Sequence, residues 1–304
     1  MKIAITTTSF GKFDNQPLQC LNDEGYEVVL NPYGRKLSGH EAVELAKNAA
    51  GIIAGTESLD RSVLKNLPCL KIISRCGAGV DNIDLETASE LNIKVLNTPF
   101  GPTLAVAELT VGLILDLLRK STWMDREMRA GVWKKRMGNL LFGKKVGIIG
   151  LGRIGKMTAQ LLMPFGCELG YYDSADDIQG LDNLTMKRLT LNDLLHSSDI
   201  ISVHVSGKYE KPLLGDQEFK TMKEGSWIVN VSRGGAIDED LLYNAIKDGR
   251  LAGAAMDVFE KEPYNGPLKN LENIILTPHI GSYAKEARTE MERQAAINLI
   301  EGLK

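Results

Sequence analysis

The sequence predicts an α/β protein built from two parallel-sheet domains. Short apolar runs alternate with helix-like segments along all 304 residues, and this alternation is typical of parallel sheets that are covered on both faces. A glycine-rich turn, Gly150-Leu151-Gly152-Arg153-Ile154-Gly155, follows one apolar run and opens into a helix. Because residues 1–144 precede this strand–turn–helix unit, we expect it to begin a second domain rather than the first.

The elements can be assigned in order along the chain. The first domain is predicted to contain five strands, at residues 2–7, 26–30, 51–54, 71–74 and 94–96, with helices such as 40–49 between them. Residues 103–118 are apolar almost all round, which is typical of a helix buried on most sides, as between two domains. The second domain is predicted to contain strands at 145–149, 168–172, 199–203, 226–230, 251–257 and 274–276. The last predicted helix of the chain, at 284–303, is amphipathic.

The composition is that of a globular protein without a polyanionic partner. Hydrophobic residues make up 43% and charged residues 25%, and the net charge of -3 gives no basic excess for nucleic acid or a membrane surface. No apolar run reaches the ~18 residues of a membrane span, and the first residues resemble a strand rather than a signal peptide. Four cysteines without C-x-x-C spacing predict reduced thiols in a cytoplasmic protein and no metal site.

The glycine turn and an acid beyond it predict a dinucleotide site. Asp173 directly follows the next predicted strand, 23 residues after Gly150. Glycines let the backbone approach a pyrophosphate and let the helix pack on the strand, and the helix N-terminus favours the phosphate charge. A glycine-rich turn alone often only joins a strand to a helix. The prediction of a dinucleotide site therefore depends on the two strands and on Asp173 as well. A carboxylate at Asp173 would bind ribose hydroxyls and repel a 2′-phosphate, which makes NAD the expected cofactor.

Three polar residues follow successive strands of the second domain, where the ligand crevice of a parallel sheet lies. Arg233 offers a planar fork to a carboxylate, and His279 can donate or take a proton near neutral pH. Glu262 would fix the tautomer of that histidine. Each residue alone also fits an ordinary surface or turn position, so their combination makes the prediction. His204 ends another strand and either is structural or contacts the cofactor through its backbone.

The chain resembles the D-2-hydroxyacid dehydrogenases over nearly its whole length. The matching segments are residues 75–84, 107–110, 150–155, 230–235, 257–263 and 277–281. The resemblance implies two Rossmann-like or flavodoxin-like domains with a cleft between them. The substrate-binding domain would be discontinuous, at 1–97 and 282–304, and the NAD-binding domain would span 98–281. Hinges are expected near 97–99 and 281–283.

The resemblance also implies the site residues. Arg233 would bind the substrate carboxylate, His279 would act as acid and base with Glu262 as its partner, and Asp257 would hold the nicotinamide carboxamide. The implied substrate-binding residues are Arg75, Cys76, Gly77, Ala78, Gly79 and Arg233. The implied cofactor-binding residues are Gly150, Gly152, Arg153, Ile154, Gly155, Asp173, His204, Val205, Val231, Ser232, Asp257 and Gly281.

Within that family the chain is most similar to the D-3-phosphoglycerate dehydrogenases, in residues 75–82, 97–110 and 285–287. It departs from them at Tyr283, where relatives have a smaller residue, and in the segment 205–210. Arg75 either binds a substrate phosphate or holds its own loop. The alternatives are a hydroxypyruvate or glyoxylate reductase and, in another class, a non-catalytic NAD(H)-sensing protein like the corepressors that resemble this family. Serine feedback through the regulatory domains of longer relatives is not expected.

The segment 121–138 predicts a homodimer. It contains Trp123, Met124 and Trp133 and a basic run at 134–136, and a monomer would expose its tryptophans without obvious reason. The resemblance implies an arm that packs across a two-fold axis. The alternative is a loop folded back on its own domain.

Overall fold

The computed structural model describes residues 1–181, 183–207 and 209–304. The chain forms two compact units. The N-terminal unit comprises Met1–Ala105 and Ser282–Lys304, and the central unit comprises Val106–Gly281. Each unit is built on its own parallel sheet, so the predicted α/β class with two parallel-sheet domains is confirmed.

The N-terminal unit has a five-stranded sheet in the order β2-β1-β3-β4-β5, in which every neighbouring pair is parallel. Its strands are β1 Lys2–Ile5, β2 Glu27–Leu30, β3 Gly51–Ala54, β4 Ile72–Arg75 and β5 Lys94–Asn97. Its helices are α1 Gln16–Asp23, α2 Gly39–Ala46, α3 Arg61–Lys65, α4 Leu85–Glu90 and the start of α5, Pro102–Arg119. The central strands are buried because helices cover both faces.

The central unit has a seven-stranded sheet in the order β12-β11-β10-β9-β6-β7-β8, again parallel throughout. Its strands are β6 Lys145–Ile149, β7 Glu168–Tyr172, β8 Met186–Arg188, β9 Ile200–Val203, β10 Trp227–Asn230, β11 Gly253–Met256 and β12 Ile274–Leu276. Its helices are α6 Ser121–Arg129, α7 Arg153–Leu162, α8 Leu191–Ser197, α9 Asp216–Thr221 and α10 Glu239–Lys247. The strand order reverses between β6 and β9, which is where such sheets bind ligands.

The first boundary between the units differs from the predicted one. It lies between Ala105 and Val106 rather than after residue 97. Packing explains the shift, because a side chain at Gly101 would lie 2.5 Å from the Met291 side chain. Residues 98–105 therefore belong with α11, Lys285–Leu303, which packs on the N-terminal sheet.

Helix α11 also departs from the amphipathic pattern expected of it. One face is buried, as predicted, but that face carries Arg288 and Glu292 among the apolar side chains of Met291, Ala295 and Leu299. The two charges form an ion pair with a 3.1 Å N–O distance. Burial of paired, hydrogen-bonded charges is tolerated where burial of a single charge is not.

The segment after α5 contains a helix, α6, that was not predicted from the sequence. Trp123 is only half-exposed in the structure, because the Arg136 guanidinium lies 4.0 Å from its ring centroid and pairs with Glu127. Trp133, in contrast, is 80% exposed. The expectation of two exposed tryptophans is therefore wrong for Trp123.

Among the described residues, no helix combines the length and apolarity needed to cross a membrane. The same residues contain no group of three His, Cys, Asp or Glu side chains placed to hold a metal ion.

Candidate active site

The glycine turn lies at the reversal point of the central sheet. A Cβ at Gly150 would lie 2.6 Å from the His204 carbonyl oxygen at the end of β9, and a Cβ at Gly155 would overlap the Gly150 carbonyl. Close packing therefore requires glycine at both positions. Gly152 has nothing within 4 Å of the place where its Cβ would be. At Gly152, therefore, the space beside the backbone is open, and a ligand can approach the chain there.

The residues around the turn fit a dinucleotide. Helix α7 begins after Gly152 with no side-chain cap and no acid in its first turn, so its N–H groups are left for an anion. Arg153 occupies its first position. The Asp173 carboxylate accepts hydrogen bonds from the N–H groups of Leu151 at 2.6 Å and Ala175 at 2.9 Å. Each oxygen accepts one bond here, which leaves acceptor capacity for ribose hydroxyls.

His204, at the end of β9, has a buried, neutral ring. Its Nε2 lies 2.8 Å from Ser202 Oγ, and burial lowers the pKa of His204 to about 3. Its Nδ1 is buried without a hydrogen-bond partner among the described residues. The backbone carbonyl of His204 faces the glycine turn. A contact with a cofactor would therefore come from the backbone of His204 and Val205 and not from the imidazole.

The loop that carries Arg233 is shaped by Asn230, the last residue of β10. The Asn230 Oδ1 accepts from both the N–H and the hydroxyl of Ser232, at 3.0 and 2.8 Å, and its Nδ2 donates to the Arg233 carbonyl at 3.0 Å. Arg233 Nη1 donates to the Ser232 carbonyl at 2.8 Å. No separate role of Asn230 was predicted from the sequence. Because Asn230 is wholly buried, it acts as the positioning residue of this loop.

The Arg233 loop packs directly against the loop that follows β11. A Cβ at Gly234 would overlap the carbonyl of Phe259, so only glycine fits. The second loop is also held by Glu239, whose carboxylate accepts from the Glu260 N–H at 2.7 Å. The backbone around Arg233 therefore has a fixed spacing from the backbone that leads to Glu262.

His279 and Glu262 are in direct contact. His279 Nδ1 lies 2.9 Å from Glu262 Oε2 and 3.1 Å from Oε1, and Oε1 also accepts from the Phe259 N–H at 3.2 Å. Because a carboxylate only accepts, Nδ1 carries a proton and Nε2 is the nitrogen left for a substrate oxygen. The His279 side chain is 47% exposed. Its backbone is left-handed, with φ +56, which indicates that the surrounding loop over-determines its position.

Asp257 supplies that constraint. Its wholly buried carboxylate accepts three hydrogen bonds from the loop after β12: from the Thr277 hydroxyl at 2.6 Å and from the N–H groups of Ile280 and Gly281 at 2.8 Å each. This positioning role was not predicted. The expected contact of Asp257 with a nicotinamide carboxamide stays a prediction.

In the N-terminal unit, the predicted substrate loop follows β4. Arg75 Nη1 donates to the carbonyl of Cys76, Gly77 N–H donates to Thr98 Oγ1 at 2.7 Å, and Asn97 donates to the Ala78 carbonyl at 2.7 Å. Burial raises the pKa of the Cys76 thiol to about 11. The thiol therefore stays protonated, and the loop presents backbone groups rather than a nucleophile.

The fold and these strand ends define a class: a protein with a dinucleotide-binding fold in which an arginine and a carboxylate-supported histidine follow the strands of the sheet. Residues 111–281, more than half of the chain, match the family profile described as "D-isomer specific 2-hydroxyacid dehydrogenase, NAD binding domain". The chain belongs to this family.

Two enzyme names occur among the similar sequences, D-3-phosphoglycerate dehydrogenase and glyoxylate reductase. The chain is 39% identical over 268 residues to a D-3-phosphoglycerate dehydrogenase of Archaeoglobus fulgidus, covering 86% of this chain and 51% of that protein, so it spans about half the length of that relative. It is 40% identical over 256 residues to a glyoxylate reductase of Thermococcus litoralis, covering 81% and 77%. The crystal structure of the TT0316 protein from Thermus thermophilus is similar with a TM-score of 0.91 and 33% identity, covering 100% and 97%.

Proposed function

We propose that this protein catalyses reversible hydride transfer between NAD and carbon 2 of a D-2-hydroxy or 2-keto acid. The observation that carries the proposal is the 2.9 Å contact between His279 Nδ1 and Glu262 Oε2, in a domain that belongs to the NAD-binding family. The contact leaves Nε2 as the proton-carrying atom and stabilises the imidazolium when it forms.

Each residue has a defined task in this reaction. The Arg233 guanidinium grips the substrate carboxylate with two parallel hydrogen bonds, and backbone groups of the loop at residues 76–79 assist. His279 Nε2 donates a proton to the carbonyl oxygen in reduction and takes it back from the hydroxyl in oxidation. Bound NAD supplies the hydride acceptor and donor. The N–H groups of α7 would hold its pyrophosphate, and Asp173 would bind its ribose.

A turnover assay tests the proposal. We expect the absorbance of NADH to fall when a 2-keto acid is added to the purified protein. The panel is glyoxylate, hydroxypyruvate and 3-phosphohydroxypyruvate, because both enzyme names among the relatives are represented there. Tight NADH binding without turnover of any 2-keto acid would instead support the NAD(H)-sensing alternative.

NAD should be preferred over NADP. The Asp173 carboxylate, held at the glycine turn by Leu151 N–H, would face a 2′-phosphate, and placing like charges together costs several kcal/mol, which corresponds to at least ~100-fold in kcat/KM. Asp173→Ser should narrow the preference, whereas Asp177→Ser, which removes an exposed acid four residues on, should not. Equal kcat/KM values for the two cofactors in the unmodified protein would contradict the assignment.

We also propose that the protein is a homodimer. The segment after α6 exposes Val132, Trp133, Met137, Leu140 and Phe142, with Trp133 and Met137 80% and 89% exposed. Several large, exposed apolar side chains within one short segment are typical of an interface. Sedimentation should give a mass near twice 33.3 kDa, and the double variant Trp133→Ser with Met137→Ser should lower it at micromolar concentration. A monomer mass that does not change with concentration would contradict the homodimer and support the alternative, in which this segment folds back on its own domain.

A cytoplasmic location is part of the proposal. Its support is that the described cysteines, Cys20, Cys69, Cys76 and Cys167, are all free, as is usual in a reducing compartment.

A further inference from the structure

The peptide bond between Phe259 and Glu260, in the central unit, is held at both ends. Its carbonyl packs on the backbone of the Arg233 loop, because a Cβ at Gly234 would overlap it. Its N–H donates to the carboxylate of Glu239 at 2.7 Å. The carbonyl and the N–H of a trans peptide point in opposite directions within one plane. The two contacts therefore fix the rotation of this peptide plane.

The position of Glu262 depends on that peptide plane. The Phe259 N–H, directly before the plane, donates to Glu262 Oε1 at 3.2 Å. Glu262 Oε2 in turn lies 2.9 Å from His279 Nδ1. The Phe259 ring is also stacked on the Tyr264 ring, with centroids 4.3 Å apart, so the chain is held on both sides of Glu262. A rotation of the plane would turn the Phe259 N–H away from the carboxylate that it supports.

Glu239 joins this irregular segment to a helix that is fixed in the core. Among residues 257–273, all of which the structure describes, the only regular element is a short 3₁₀ helix, Pro267–Asn270. Glu239 lies in the first turn of α10. That helix is anchored in the core of the central unit by the buried side chains of Leu242, Ala245 and Ile246. Groups tied to a rigid element are positioned more precisely than groups on a loop alone.

The surroundings of Glu239 do not favour its negative charge. Burial raises the pKa of Glu239, and the charges of three neighbouring acids act in the same direction: Glu260, Asp240 and Asp238. The hydrogen bond from the Glu260 N–H lowers the pKa of Glu239 but does not outweigh these effects. The contact therefore depends on an acceptor oxygen at this position rather than on a charge, and a neutral side chain of the same length can supply that oxygen.

We propose that Glu239 is a positioning residue for proton transfer: by holding the Glu260 N–H, it keeps the Glu262 carboxylate against His279 Nδ1. This inference rests on the proposed dehydrogenase function and adds a residue to its machinery. Glu239 acts through Glu262 and not on the substrate. A change at Glu239 should therefore lower kcat, which reports the proton-transfer step, more than it raises KM.

The first test uses NADH and whichever 2-keto acid the unmodified protein reduces fastest. Glu239→Ala should lower kcat about 10- to 100-fold, because misplacement of a group by about an ångström costs up to about 10²-fold, while KM stays within about twofold. Glu239→Gln keeps the acceptor oxygen and should retain most of kcat. Asp240→Ala is the matched control, since it removes an exposed acid from the same helical turn and should leave kcat unchanged.

A double-mutant cycle tests the route through Glu262. In a Glu262→Ala background, adding Glu239→Ala should change kcat by less than about twofold, because the contact through which it acts is already gone. A general loss of stability would instead multiply with the effect of Glu262→Ala. NADH fluorescence titration checks the folding of every variant. If Glu239→Ala does not bind NADH, Glu239→Asp, whose shorter side chain withdraws the acceptor but keeps the charge, replaces it in the same comparison.

The outcomes separate the inference from the function beneath it. An unchanged kcat in Glu239→Ala, an equal loss in Glu239→Gln, or losses that multiply in the double variant would each overturn the positioning role of Glu239, while turnover by the unmodified protein leaves the proposed function in place. NADH binding without turnover of any 2-keto acid by the unmodified protein overturns the proposed function, and the inference with it.

Discussion

Replacement of His279 with asparagine is expected to lower kcat by about 10²–10⁴-fold, the usual contribution of a positioned acid or base. Asparagine cannot accept and return the proton that Nε2 carries, although it tolerates the left-handed backbone found at this position. Affinity for NADH should change little, because the imidazole acts mainly in the transition state. Steady-state kinetics and NADH fluorescence titration measure the two quantities.

Two further variants sharpen this result. Glu262→Gln should give a smaller loss, because it keeps a hydrogen-bond acceptor for Nδ1 but removes the charge that stabilises the imidazolium. His40→Asn, which alters an exposed histidine in the first turn of α2, should behave like the unmodified protein. Near-normal turnover across pH in His279→Asn would show that another group carries the proton.

Replacement of Arg233 with alanine is expected to lower kcat/KM by roughly 10²–10⁴-fold, with both a higher KM and a lower kcat. The estimate follows from two charge-assisted hydrogen bonds to a carboxylate, which contribute about 1.5–3 kcal/mol each. Lysine should rescue only part of the loss because it lacks the planar fork. Kinetics with a saturating and a limiting 2-keto acid distinguish the two parameters.

The control for Arg233 is Arg129→Ala, which removes an exposed arginine of the same unit that pairs with Asp125, one turn away. Such surface pairs contribute little, so kcat/KM should not change. Comparable losses in Arg129→Ala and Arg233→Ala would mean that net charge, and not a carboxylate grip, explains the effect.

The fold class and the candidate His–Glu pair could both be predicted from the sequence, because both follow from the order of strands, helices and polar residues along the chain. Apolar runs that alternate with helical segments specify a parallel sheet, and polar residues directly after successive strands come to one edge of it. Glu262 and His279, 17 residues apart, follow neighbouring strands. Their contact therefore required no knowledge of distant packing.

The features that were not predicted from the sequence are buried polar side chains that position other residues. Asp257 reaches three donors 20 to 24 residues away, and nothing local distinguishes it from a surface acid after a strand. Arg288 and Glu292 lie on the buried face of α11, whereas the sequence predicted charged residues only on its exposed face. An oppositely charged pair one turn apart is also common on an exposed face, so the sequence did not distinguish the two positions. That face is buried because α11 packs on the N-terminal sheet, and one partner of its charges, Ser9, lies 279 residues from Arg288 in sequence.

The glycine at position 234 limits how this protein can be adapted to new substrates. Any side chain there would collide with the Phe259 carbonyl. To relieve the collision, the loop that carries Arg233 and the loop that carries Glu262 would have to separate. Substitutions at position 234 are therefore unsuitable for changing the substrate, because a single one would displace both Arg233 and Glu262, the partner of His279.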